Sequence, residues 1–587
     1  MKLSKSMRGA ALAATIVLTV SAGAPAFAAE VNSGGKGSSH QGPGQGKGPG
    51  QGNGPGQDKP GNPGKPDKPG NPGNPGKPDK PGKPDKPGKP GPGNPGKPDK
   101  PGKPGNPGKS DSAKLRDKVS LKGLMGHLEA FQAAADANGG NRAAGTPGYE
   151  AGARYVESQL RKAGYEPFRQ PFTYEQFILS SETLEQVSPE ALTYTAGTDY
   201  TTMSYSGPGD VTAEVTAVDI NLTGDRANTS GCEPEDFADF TAGNIALMQR
   251  GTCPFSDKVA NAAAAGASAA IVFNQGVIPT EDRTGLVNGT LGGVTSAIPA
   301  VGTTYALGEA LAATAGATVH LAVDSTVQQT ETFNVIADTP KGDPTRQVVV
   351  GAHLDSVQEG AGINDNGSGS AAILETAIQL GKTGKFKLEN QVRFAFWGAE
   401  EDGLVGSTEY VAQLSETELA NTMLNLNFDM VGSVNGGRFV YDGDGDAFGM
   451  TGPPGSDVIE GVFEEYFAGQ GQASAPTEFS GRSDYQAFIL NQIPAGGLFT
   501  GAEGVKTEEE AALFGGTAGV SYDPCYHNTC DDLSNIDKKL FHEMSDAVAH
   551  SVLTFAQTDA DIRGGAGVAS ARALPAAPEY RGHEALR

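Results

Sequence analysis

The chain has 587 residues, a formal net charge of −24 at pH 7 and only four cysteines. Its 84 glycines and 39 prolines are densest in one tract, so part of this length cannot build a packed core. Such acidity speaks against nucleic-acid binding and suits a protein soluble outside the cell, although the field at any one site can differ from the global charge.

Residues 1–28 read as a secretory signal peptide. Lys2, Lys5 and Arg8 are basic, residues 10–20 are apolar, and Ala26-Phe27-Ala28 supplies a cleavage site of small residues. The apolar run stops at Ser21, short of the roughly 18 residues that a membrane anchor needs. Residues 29–112 are built on PGKPDKPGNPG-like units with no apolar side chain larger than valine. This Pro/Gly/Lys-rich tract is expected to be a disordered, PPII-like spacer. It holds 14 Lys against 6 Asp between residues 31 and 111, a net of +8, which leaves −32 for the rest of the chain. A semi-rigid spacer in or across a cell wall is the simpler role for it; a sequence-specific binding segment is the alternative.

Residues 113–557 hold the globular structure, more than one core usually supports. Leu121, Leu124, Leu128 and Phe131 recur at helical spacing, and residues 149–163 repeat the pattern. From 194 to 323, short β-branched runs at 211–220, 245–248, 270–273 and 298–301 alternate with Gly/Asp/Asn turns around one Ala-rich helix at 256–266. They predict a compact β-rich insert. Beyond it, apolar strands at 333–337, 347–351, 392–396 and 423–428 alternate with helices at 368–380 and 407–414, and a closing helix spans 536–555. That alternation predicts an α/β sandwich assembled from residues 113–193 and 324–557, with 558–587 as a flexible tail. Cys232 with Cys253, and Cys525 with Cys530, form two local pairs. Behind a secretory signal they predict two disulfides, a Cys-based zinc site being the alternative.

Three of the strands end in ligand-type groups: VVVGAH at His353, FAFWGAEE at Glu400 and Glu401, and LNLNFD at Asp429. In open α/β sheets ligands gather at the carboxyl ends of the strands. Asp355, two residues after His353, can accept the second ring N–H and fix the tautomer. Asp365 sits in a turn of Asn and Gly where both carboxylate oxygens can face outward and bridge two metals. Of the adjacent Glu400 and Glu401, one can ligate while the other stays free as a base. His527 lies between the paired Cys525 and Cys530, whose loop would hold it still. Two histidines and these carboxylates suit a pair of zinc ions. His40 and His583 fall in the spacer and tail, His127, His542 and His550 in helical patterns, and His320 in the insert. Serine hydrolysis fares poorly. There is no G-x-S-x-G elbow, the HEMSD at 542–546 fails the H-E-x-x-H pattern, and nothing supplies Ser483 and Asp484 with a paired histidine.

Taken in order, HLDS, INDNGSGSA, FWGAEEDGLVGS, NFDMVGS, GRSDYQAF, GGLFTGAEG and CYHNTCDDLSN resemble the M28 zinc aminopeptidases, above all the secreted leucine-preferring bacterial type. The segment from CEPEDFADF to AAIVFNQ resembles a protease-associated (PA) domain. The resemblance implies the mixed-sheet α/β/α sandwich of the zinc exopeptidases with an inserted PA domain. It implies a monomeric, dizinc enzyme acting on peptide or protein N-termini. His353 and Asp429 would hold one zinc, Glu401 and His527 the other, and Asp365 would bridge them. Glu400 would be the general base, Tyr526 an oxyanion stabiliser and Arg482 a contact for the substrate backbone. The resemblance also implies a cis peptide at Asp365–Asn366. Members with calcium hold it by acidic groups near the closing helix; Asp546 fits, but His542 stands where an acid is expected, so Ca2+ stays open. Met430 and Phe499 suggest an apolar S1 pocket, although both also suit an ordinary core. A carboxypeptidase or glutaminyl cyclase on the same scaffold, and a non-catalytic wall-associated binding protein, remain as alternatives.

Overall fold

The computed structural model describes residues 110–563 apart from 224, 225, 227, 277–282 and 294. The expected signal peptide, the spacer up to residue 109 and the tail beyond 563 lie outside the described residues.

The larger region is built on a mixed sheet whose order runs Ala475–Thr477, Phe439–Tyr441, Ala495–Phe499, Thr422–Phe428, Asp343–His353, Asn390–Trp397 and Thr318–Asp338. From Ala495–Phe499 to Asn390–Trp397 the four central strands are parallel. Thr318–Asp338 and Phe439–Tyr441 flank them antiparallel. The side-chain period of two sorts the apolar residues into two layers. Val348, Val350, Phe394, Phe396, Leu424 and Leu426 pack with Leu128, Val156, Leu374 and Val548 of the helices Leu121–Asp136, Pro147–Lys162, Gly369–Thr383 and Lys538–Gln557. The alternate residues Val349, Ala395 and Trp397 pack with Tyr410 and Phe488 of the helices Val405–Ala412 and Tyr485–Leu490. The sheet is therefore buried on both faces, which is why these strands read as continuous apolar runs, and the expected α/β/α sandwich is present.

Local signals set the helix ends. Thr146 caps the helix Pro147–Lys162 by accepting from Tyr149 N, with proline at its first position, and Asp537 accepts from Lys539 N and Leu540 N at the start of the closing helix. The first helix, Asp111–Arg116, starts two residues before the expected edge of the globular region and lies beside the closing helix, with Ser112 Oγ 2.7 Å from His550 Nδ1.

Two strands of 21 residues each, Phe168–Ser188 and Thr318–Asp338, pair antiparallel from Phe168–Ile336 to Ser188–Thr318. At about 3.3 Å per residue they span roughly 70 Å. One end of Thr318–Asp338 pairs with Asn390–Trp397 and the other with Gly209–Ala217 of the insert, so the sheet passes unbroken from one region to the other. The insert continues through Ile245–Gln249, Ala269–Phe273, Ala300–Thr303 and Tyr200–Thr202, with the helices Phe255–Ala264 and Tyr305–Ala313 packed in separate apolar clusters. Cys232 and Cys253 are disulfide-bonded within it.

Candidate metal centre and active site

The parallel strands bring their carboxyl ends to one rim. His353 is the last residue of its strand, Asp429 follows Phe428, and Glu400 and Glu401 stand in the turn after Trp397. His353 Nε2 lies 3.2 Å from Asp365 Oδ1, 3.3 Å from Asp429 Oδ1 and 3.8 Å from Glu400 Oε2. His527 Nε2 lies 3.2 Å from Asp365 Oδ2 and 3.1 Å from Glu401 Oε2. A single carboxylate, Asp365, thus faces both histidines, one oxygen to each. The peptide Asp365–Asn366 is cis.

Each group is held from behind. Asp355 Oδ1 stands 3.6 Å from His353 Nδ1, an ion-pair distance, and the Asp355 carboxylate accepts from Glu400 N and Glu401 N at 3.3 and 3.2 Å. The histidine and the two glutamates therefore share one orienting acid. Asp531 accepts from Asn364 N and Asp365 N at 2.8 and 3.0 Å, and so sets the turn that carries Asp365. Ser483 Oγ donates to Asp429 Oδ2 at 2.6 Å, which gives that serine a structural partner instead of a triad. Arg142 is fully buried and donates to the carbonyls of Leu354, Ala361 and Gly362, clamping the segment between His353 and Asp365. His527 has φ of +53°, is stacked on Tyr526 at 3.8 Å, and lies in the disulfide loop Cys525–Cys530.

The electrostatics call for cations. Burial, reinforced by Asp429, Asp484 and Glu401, holds the Glu400 carboxyl well above the usual range. Burial and the Asp365 charge push Glu401 up to about 7. Burial opposes a charge on His527, yet Glu401 and Asp365 raise it to about 10. His353 Nδ1 and Nε2, Glu401 Oε1 and Asp429 Oδ1 are buried with no hydrogen-bond partner. Orphaned nitrogen and carboxylate atoms crowded into one cluster are the donor set that Zn2+ takes. The residues present therefore fit a metal pair.

Beside the centre opens a cleft whose lining includes Met430, Tyr441, Tyr485, Phe499, Arg482 and Tyr526. Arg482 Nη2 donates to Tyr526 Oη at 3.3 Å while Nη1 is held by Glu503 at 2.7 Å. The remaining described histidines are engaged elsewhere: His127 with Tyr155 and Glu375, His320 with Asp210, His542 with Val119 O and His550 with Ser112. At the open calcium position Asp546 has the Arg116 guanidinium at 4.0 Å, and among the described residues no group of three ligand-type side chains includes it. A third acidic group, Asp442, Asp444 and Glu460, is a folded turn in which Asp442 and Glu460 accept backbone N–H groups.

Sequence reasoning missed Arg142 as a clamp and Asp531 as the brace of the turn that carries Asp365. Asp531 stands inside CYHNTCDDLSN, so only the role went unread; for Arg142 no local signal exists.

The model of peptidase family M28 matches residues 334–552, and that of the PA domain matches 211–311. An aminopeptidase of Pseudomonas aeruginosa (strain UCBPP-PA14) is 52% identical over 424 residues, 72% of this chain and 78% of its own length. A probable leucine aminopeptidase 2 of Aspergillus fumigatus is 43% identical over 71% of this chain and 80% of its own. Among solved structures, BSAP, a zinc aminopeptidase from Bacillus subtilis, matches with a TM-score of 0.53 and 25% identity, covering 76% of this chain and 97% of that one.

Proposed function

The chain belongs to peptidase family M28, and from that premise we propose that it is a secreted dizinc aminopeptidase removing leucine or another apolar residue from the N-termini of peptides. The observation that carries the reading is the Asp365 carboxylate between His353 and His527 amid partnerless buried ligand atoms. Relatives named aminopeptidase and leucine aminopeptidase, and a zinc aminopeptidase of similar structure, support it. The signal-like N-terminus and two disulfides support secretion.

His353 and Asp429 would hold one ion, Glu401 and His527 the other, and Asp365 both. Zinc at such a site supplies Lewis acidity and lowers the pKa of water toward neutrality. Glu400 Oε2 lies 3.8 Å from His353 Nε2, at the centre and on the cleft wall, where it would take a proton from the attacking water and return it to the leaving amine. Arg482 donates to the Tyr526 oxygen, which leaves the phenolic hydrogen free to donate to the developing oxyanion. A site so rich in carboxylates favours a free α-ammonium, which restricts cleavage to one residue at a time. Met430 and Phe499, with Tyr441 and Tyr485, give the cleft an apolar wall for the first side chain.

Leu-p-nitroanilide should be hydrolysed and an N-blocked dipeptide left intact. Glu400→Gln should lower kcat at least about 100-fold with zinc still bound. Cleavage of the blocked peptide, or full activity of a zinc-replete Glu400→Gln enzyme, would refute the assignment.

A further inference from the structure

The turn that carries Glu400 and Glu401 is conformationally demanding: Ala399, Gly403 and Leu404 have φ of +58°, +112° and +59°. One side is fixed by Asp355, through the amides of both glutamates. Its other side is fixed by side chains that offer the metal centre no ligand. Tyr174 Oη donates to Asp402 Oδ2 at 2.5 Å, and Gln176 Nε2 donates to the same oxygen at 3.1 Å. Both residues belong to the long strand Phe168–Ser188, and Gln176 Oε1 in turn accepts from Thr330 Oγ1 of the paired strand at 2.9 Å. Tyr174, Gln176 and Thr330 are buried, and Tyr174 packs in one cluster with Ala144, Phe172 and Ala399. A phenol on a carboxylate in a water-poor setting is a strong, directional bond.

We propose that Tyr174 and Asp402 are positioning residues for the aminopeptidase reaction, through which the strand that leads into the insert sets the placement of Glu400 and Glu401. The inference rests on the aminopeptidase reading above. Asp402 is one residue from the proposed ligand and two from the proposed base, so the bond fixes both at once. A displacement of about 1 Å at a reacting group costs on the order of 100-fold in rate. Gln176 would retain part of the placement when the tyrosine hydroxyl is removed, so the loss in Tyr174→Phe should be smaller.

The test uses the full chain loaded with zinc and Leu-p-nitroanilide, comparing Tyr174→Phe, Asp402→Ala, the double variant and Asp402→Asn. Tyr174→Phe and Asp402→Ala should lower kcat by about tenfold or more with KM changed by less than about twofold. Zinc per chain should match wild type, and the thermal midpoint should fall by only a few degrees, the cost of about one buried hydrogen bond, with the protein folded at the assay temperature. The double variant should be no slower than the slower single one, because both remove the same contact. Asp402→Asn, whose amide oxygen can still accept from Tyr174, should recover most of the rate. Unchanged kcat in both single variants, additive losses, or a rate that falls only in proportion to lost zinc would overturn the proposal. Wild-type enzyme inert on Leu-p-nitroanilide would instead remove the aminopeptidase reading on which it stands.

Discussion

His550 is held uncharged by the fold. Burial, then the nearby Arg116 charge, lower its pKa to about 4, with Ser112 Oγ at its Nδ1 and the Tyr466 ring stacked 4.8 Å away. The unfolded chain takes up this proton near 6.5, so between about 6.5 and 4 the unfolded form binds more protons and folding stability falls as pH falls. Asp546, one turn away and raised to about 6 by burial, works in the opposite sense below that pH, so the total curve mixes the two. Comparison with His550→Gln isolates the histidine: the wild-type advantage in thermal midpoint should shrink from pH 6.5 to 4 and then stop changing. A constant difference across that window would rule the account out. Arg142→Met should leave three buried carbonyls without their donor and cost about 3 kcal/mol or more in urea unfolding, with weaker zinc retention. At this scale the convergence of His353, Asp365, Glu401 and Asp429 was legible because their motifs end strands or fill glycine-rich turns, and that of His527 because two cysteines flank it. Arg142 was not, because its partners are backbone carbonyls more than 200 residues away in sequence.

The disulfide loop Cys525–Cys530 has its clearest consequence as an element. His527 holds a left-handed backbone conformation inside a ring closed across five residues of separation. Closing so short a ring removes on the order of 2 kcal/mol of chain entropy from the unfolded state. Replacing both cysteines by serine should therefore shift the thermal midpoint modestly while weakening zinc affinity more than tenfold, since an ordered ligand becomes one that must be ordered on binding. Metal titration followed by activity would measure it; unchanged affinity would show that the Tyr526 stacking alone suffices. The central strands were readable as uninterrupted apolar runs. Phe168–Ser188 was not, because its burial alternates only in patches and its polar stretch around Ser180–Glu182 lies where it bridges two cores. Its length follows from pairing with Thr318–Asp338, a contact that no local pattern encodes.

Across the whole molecule those two strands make separate melting of the insert unfavourable. Opening the insert core would expose Leu184, Leu321 and Val323, which sit on the same strands that complete the larger sheet. Calorimetry should give one transition with calorimetric and van't Hoff enthalpies in agreement, and two resolved peaks would refute this coupling. Chelation should lower that transition, because ions bound only by the folded form stabilise it by about 2.7 kcal/mol at a free concentration 100 times Kd. The α/β/α layering and the β-rich insert were legible from alternation of strands and helices; the continuity between them was not, since it is a property of pairing.

The short helix Asp111–Arg116 rests against the closing helix, with Ser112 bonded to His550. Among the described residues the backbone thus enters and leaves the core on the same side, and in a variant trimmed to residues 110–563 these two points could be spliced by a brief linker. A circularly permuted gene, reopened in the exposed segment between Phe514 and Val520, would then be expected to yield the same domain with its zinc ligands undisturbed.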